Sequence, residues 1–392
     1  MIPPHHSAVA QLSTTPNQPL QLTPSPLHPP CRAEECIFLW KGANTAPASI
    51  INDPTIERIA ALATRASLRD SSSYGSGLRK FHLFCDIFTI SKSDRLPASF
   101  PLLHSFALWT VSDPDTLGPE ASTGIPFEPV SVGVARKYLS AIRAWHVAQG
   151  WPPPLTEDDH ERINWSLRGL ENIQGSRKRP IRPPITISML QSLRASLVLG
   201  DSFDACIWAM ATCAFWGMMR FGEVSVKSRN DFDKAKHVKR RDVVFGFDRD
   251  GKQYARLDLP SAKTTKPGEV QSVYLIPQNG LCPLEALRNL AAVVPAGPDD
   301  PLFLWRDRNG DVRPMVKTKA IHCINAILKS CGWGTTFGHS FRIGGASFYL
   351  SEKIDPEIIR IAGRWHSLAY EVYIRAFEQV ASCHFRDLLA RS

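Results

Sequence analysis

The stretch GMMRFGEV places Arg220 and Glu223 three positions apart, a spacing at which a helical carboxylate can hold a guanidinium in one orientation. Taken alone, that is also the spacing of an ordinary surface ion pair. HSFRIGGAS sets His339 and Arg342 on one helix face, followed by Gly344, Gly345 and Ala346, small residues that let another element approach closely. GRWHSLAYEVYIR adds Trp365, whose indole N–H is a donor, and Tyr373, whose phenol becomes a nucleophile where its charge is stabilised. PSAKTTKPGE offers Lys263 and Lys266 in a loop between two strand-like runs. Each feature has a bland structural reading, a surface pair, a core aromatic or a solvated lysine. What sets these residues apart is the order and spacing of the whole set.

An Arg, a Lys in a β-hairpin loop, His-x-x-Arg, then Trp and a C-terminal Tyr resembles the catalytic series of tyrosine recombinases, the phage-integrase-like family of DNA breaking-rejoining enzymes. The family's G-x-x-R-x-G-E stretch is matched by Gly217, Arg220, Gly222 and Glu223, and its His-x-x-Arg box by His339 and Arg342. The third box, usually ending in Gly-His, is here Gly363, Arg364 and Trp365, and Tyr373 stands in the family's Tyr-Ile-Arg context. GRW followed by AY and YIR looks most like the eukaryotic branch carried by crypton-type mobile elements. Two departures stand out: Ile343 lies where many bacterial members carry a second His, and the stretch from Trp365 to Tyr373 is one residue shorter than usual. Tyr370, three residues before Tyr373, is the rival nucleophile, and Lys266 is the rival of Lys263.

The resemblance implies a mechanism. A phosphodiester is shielded by its own negative charge, so guanidiniums must neutralise its non-bridging oxygens while a nucleophile attacks in line. Arg220 and Arg342 would clamp the phosphate, Glu223 would orient Arg220, and His339 would complete the cage or accept the Tyr373 proton. Trp365 would donate its indole N–H to a phosphate oxygen, and Lys263 would protonate the departing 5′ oxygen. The expected product is a 3′-phosphotyrosyl link that conserves the bond energy, in site-specific recombination or integration of a mobile element. No metal or other cofactor is expected: the chain has no GxxxxGK[ST] loop and no Cys/His cluster at metal-ligand spacing. A type IB topoisomerase-like activity and a domesticated, catalytically silent DNA-binding protein remain alternatives.

The elements that must position these residues follow from composition and periodicity. The chain has 392 residues, 43% hydrophobic and 21% charged, with a formal charge of +9, which favours a polyanionic partner through counterion release. Double-stranded DNA is that partner in the family reading, bound by a homo-oligomer, a tetramer on synapsed DNA. Its 9 cysteines lack CxxC spacing and suit reduced thiols in an intracellular protein, nuclear if eukaryotic. No apolar run approaches the roughly 20 residues of a membrane helix.

Residues 1–54, rich in Pro, Ser and Thr, read as a disordered tail. Residues 55–174 read as a helical core-binding domain whose Arg79, Lys80, Arg136, Lys137 and Arg143 are available for phosphates. In its second helix Leu78, Phe81, Phe84 and Cys85 share the core face, away from His82; in its fourth, Val134, Tyr138, Leu139, Ile142 and Trp145 point inward. Residues 175–186 combine Arg177, Lys178, Arg179 and Arg182 with prolines, which makes them a semi-rigid basic linker on DNA. Residues 187–392 read as the catalytic domain, α+β of the tyrosine recombinase type. The expected fold class is mainly α with a small antiparallel β-sheet, from DVVFGF, QYARLDL and VQSVYLI.

Overall fold

The computed structural model describes residues 21–68, 73–118, 128–175, 183–261 and 270–365. Two compact units divide at Arg179 and Pro180, within the span read as a linker; the linker's basic residues lie outside the described residues.

The first unit is helical: α1 (Cys36–Leu39), α2 (Pro54–Ala66), α3 (Tyr74–Ile87), α4 (Phe100–Val111), α5 (Pro114–Leu117), α6 (Val132–Ala148) and α7 (Glu157–Gln174). Its core joins Phe81 and Phe84 of α3, Leu103 and Phe106 of α4, Leu139, Ile142 and Trp145 of α6, and Leu167 of α7. Gly77 lets α3 and α6 cross closely, because a Cβ there would stand 3.0 Å from the Ala141 Cβ. Val134 is only half-buried, and Val132 and Ala135 occupy the inward face instead.

Two expectations are corrected here. The Pro-rich segment is ordered from residue 21: Cys36, Ile37 and Trp40 enter the helical core, and the Trp145 indole donates to the Trp40 carbonyl at 2.8 Å. The apolar run CIFLW outweighs the Pro/Ser/Thr composition around it, since burying such side chains offsets the entropy of ordering a short segment. His82, expected away from the core, is 1% exposed among the Trp40, Phe81 and Trp145 rings, and burial pushes it well below the usual histidine range.

His146 makes the unit's stability sensitive to acid. It is buried; Ala98 N–H donates to its Nε2 at 2.9 Å, so Nδ1 carries the proton that meets the Ile142 carbonyl at 2.8 Å. Burial pushes its pKa down from 6.5 to about 4. The folded pKa lies below the unfolded one, so the unfolded state takes up the proton first, and stability present above pH 6.5 is lost as pH falls toward 4. We expect about 3 kcal/mol of loss across that window. Denaturant midpoints at several pH values should fall less steeply for His146→Gln; equal slopes would refute the assignment.

The second unit is built around α9 (Ser202–Trp216), buried along its whole length from Ala205 onward, as a helix apolar on every side must be. Helices α8 (Ile187–Ser196), α10 (Pro283–Val293) and α12 (Ser340–Ser351) pack against it, while α11 (Lys317–Ser330) packs on α8 and α13 (Pro356–Ala362) on α12. Strands β1 (Val243–Phe247), β2 (Gln253–Leu259) and β3 (Gln271–Leu275) form an antiparallel sheet in that order, with Leu257 opposite Val243 and Val273. Strict alternation in β2 turns Ala255, Leu257 and Leu259 to the core. A second small sheet, β4 (Leu304–Arg306) paired with β5 (Val312–Pro314), was not anticipated. The described residues are therefore mainly helical with two small antiparallel sheets. The candidate loop lysines Lys263 and Lys266, between β2 and β3, lie outside the described residues.

Candidate active site

The end of α9 begins the site. Gly217 caps the helix against the sheet, where a Cβ would stand 2.6 Å from Val273 Cγ1, and Met218 turns the chain through the left-handed region at φ 43°. Arg220 and Glu223 therefore sit on a turn rather than on a continuing helix, yet their pairing survives. Arg220 Nη1 donates to Glu223 Oε1 at 3.0 Å, Arg220 N–H donates to Oε2 at 3.0 Å, and Glu223 N–H closes the turn on the Arg220 carbonyl at 2.7 Å.

Helix α12 packs through its glycines on the end of α9 and on the segment that precedes α8. A Cβ on Gly344 would stand 2.1 Å from the Ile185 carbonyl oxygen, and one on Gly345 would stand 2.0 Å from that of Phe215. The small residues thus do what the sequence reading asked of them. His339 is the N-cap residue and half-buried, and Arg342 follows in the first turn. Gly338 lies against Phe221, the residue after Arg220, so the His339 segment and the Arg220 turn are in direct contact.

Arg342 is 1% exposed. Its two terminal nitrogens donate to the carbonyls of Met218 and Gly363, each at 2.5 Å, and its guanidinium lies 4.2 Å from the centre of the Trp365 ring. It ties the end of α9 to the end of α13. Trp365 is also buried, with Met218, Ala346, Leu350 and Ile359, and its ring covers Gly363 so closely that any Cβ there would overlap it. In this state Arg342 and Trp365 are joined to each other and to backbone, which differs from the open phosphate clamp expected of them.

A further cation completes the site. Arg364, at φ 60°, points its Nη2 to Glu223 Oε2 at 2.7 Å, and its side chain is 6% exposed. Glu223 therefore holds two guanidiniums, Arg220 on one side and Arg364 on the other. Burial pushes the Arg364 guanidinium below the usual arginine range; Glu223 opposes that shift and the Arg220 charge adds to it. In the sequence Arg364 stands out only as the middle residue of GRW. The available signal was an arginine next to the Gly that ends α13, where the chain must reverse.

Arg220, Glu223, Arg342 and Trp365 are thus brought together from three separate segments, with His339 at the start of the helix that carries Arg342. Tyr373, its rival Tyr370 and the C-terminal residues lie outside the described residues. In the first unit Arg79, Arg136, Lys137 and Arg143 are exposed on α3 and α6, with Arg136 donating to Asn164 Oδ1 at 2.8 Å. Lys80 differs: it is half-buried with its ammonium 5.3 Å from the Trp109 ring centre, and burial lowers its pKa.

No family model and no curated protein matches the sequence. Solved structures do resemble the chain. XerH site-specific recombinase bound to palindromic difH substrate, in a post-cleavage complex, has a TM-score of 0.47 at 14% identity, covering 92% of this chain and 99% of that one. Tn1549 transposon integrase in complex with transposon right end DNA has a TM-score of 0.45 at 14% identity, covering 84% and 98%. FLP recombinase in a Holliday junction complex has 0.34 at 12% identity, covering 59% of each chain. TM-scores this low carry no argument about function, which rests on the residues of the site itself.

Proposed function

We propose that this chain cleaves and rejoins DNA as a tyrosine recombinase, with Tyr373 as nucleophile. One observation carries the reading: residues picked out by the ordered resemblance, 145 positions apart from Arg220 to Trp365, meet around Glu223 and the Arg342 guanidinium. An ordinary surface pair at Arg220 would have no reason to share its carboxylate with an arginine that directly precedes Trp365.

Among the described residues of the site Arg220 is the accessible guanidinium, with 23% of its side chain exposed and only Nη1 committed to Glu223. Its other donors are free to meet a phosphate oxygen, in an orientation that Glu223 fixes in advance. The Tyr373 oxygen forms a bond to phosphorus as the bond to the 5′ oxygen breaks. His339 accepts the phenolic proton, and Lys263 gives one to the departing oxygen. The phosphotyrosine then returns its phosphorus to a 5′ hydroxyl, so the reaction is reversible without an external energy source. Site-specific recombination or integration of a mobile element, by a homo-oligomer on double-stranded DNA in the cell interior, is the biological form of this chemistry that we infer.

The test uses a pool of randomised duplexes carrying a nick, so that cleavage beside the nick releases a short fragment and strands the enzyme on DNA. The expected result is a covalent protein–DNA band on a denaturing gel, with the released end phosphorylatable as a 5′ hydroxyl. A pool that yields non-covalent complexes and no adduct would favour a silent DNA-binding protein.

A further inference from the structure

We propose that Arg364 is a phosphate-binding arginine of this site, acting beside Arg220 on the same DNA phosphate. The proposal rests on the recombinase reading for the identity of the anion, but the anion site itself stands on geometry. The Arg364 guanidinium is nine-tenths buried and spends one nitrogen, Nη2, on Glu223. Its Nε and Nη1 are also buried and make no hydrogen bond among the described residues. Buried donors without acceptors are costly, and folded proteins rarely keep them unless something else supplies the acceptor. Arg342 in the same site provides a contrast, with both terminal nitrogens already on backbone carbonyls.

Charge points to the same ligand. One carboxylate, Glu223, faces two guanidiniums, so the group carries an excess of one positive charge in a place largely shut off from water. A phosphodiester carries one negative charge and would neutralise it. Arg220 and Arg364 approach Glu223 from sequence positions on either side of α12, which sets their unused donors around one carboxylate and allows both to reach one tetrahedral anion. The left-handed backbone at Arg364, rare for a residue with a side chain, is consistent with a position held for its function.

Inorganic phosphate is the probe. The full-length protein should melt at higher temperature as phosphate replaces chloride at constant ionic strength, and the dependence gives a dissociation constant. Arg364→Lys keeps the charge and the Glu223 pair but loses the planar fork, and should bind phosphate about tenfold more weakly. Arg249→Gln, an exposed change in the turn between β1 and β2, should bind as the unaltered protein does. Should Arg364→Lys fail to fold, the Nε–H resonance of Arg364 in the unaltered protein, followed by NMR, should shift as phosphate is added. Phosphate affinity within twofold for Arg364→Lys, or a protein that phosphate neither stabilises nor shifts at Arg364, overturns the proposal. Phosphate binding through Arg364 without any DNA adduct would sink the recombinase reading alone. An adduct formed by Arg364→Lys at the unaltered rate would sink this proposal alone.

Discussion

Arg342→Ala should destabilise the second unit by about 5 kcal/mol, more than an ordinary loss of an active-site charge. The guanidinium is the only group described as donating to both the Met218 and Gly363 carbonyls, and its removal leaves two buried acceptors without that donor, each worth about 1–3 kcal/mol. The Trp365 ring loses the cation beneath it, and the vacated volume lies in a packed interior. Arg342→Lys should recover about half, because one ammonium can reach one carbonyl but cannot span both. Urea unfolding followed by tryptophan fluorescence measures this; a midpoint for Arg342→Ala within about 1 kcal/mol of the unaltered protein would show that Arg342 does not tie α9 to α13. The consequence for function is direct. Loss of cleavage in Arg342→Ala cannot be read as loss of transition-state charge until the folded fraction has been measured.

Glu223→Ala should cost about 3–5 kcal/mol, the penalty for breaking a buried ion pair by removing one partner. Three donors lose their acceptor at once: Arg220 Nη1, the Arg220 backbone N–H and Arg364 Nη2. The two guanidiniums would also face each other without the charge between them. The double variant Glu223→Ala with Arg364→Met removes the stranded cation as well, so it should regain a substantial part of the loss, about 2 kcal/mol or more. Strict additivity of the two changes would mean that Arg364 and Glu223 are not energetically coupled, whatever their separation.

How much of this was legible in the sequence differs by element. Strand β2 was readable because QYARLDL alternates polar and apolar residues, and the sheet buries only one face. The end of helix α9 is hidden: its apolar run continues past Trp216, and nothing in a pattern of hydrophobicity marks Met218 as the residue that turns left-handed. The β4–β5 hairpin was missed although Asn309-Gly310 lies between its strands, a strong turn signal. Three-residue strands are too short to show periodicity, so the turn alone had to be noticed. In the site, spacing gave Arg220 with Glu223 and Arg342 with His339, because those pairs are local. The engagement of Arg342 by the carbonyls of Met218 and Gly363 depends on backbone acceptors, which carry no side-chain identity for a sequence to display. Arg364 was hidden for a related reason, since its partner Glu223 is 141 positions away.

Mapping the adduct decides whether Tyr373 is the group that attacks DNA. The protein is trapped on the nicked duplexes, digested with protease and nuclease, and the peptide carrying the nucleotide remnant is sequenced by mass spectrometry. Tyr373→Phe keeps the ring and removes only the attacking oxygen, so it should bind DNA and form no adduct, while Tyr370→Phe should form it as the unaltered protein does. The remnant should lie on Tyr373. A remnant on Tyr370, with Tyr373→Phe still forming the adduct, would contradict it.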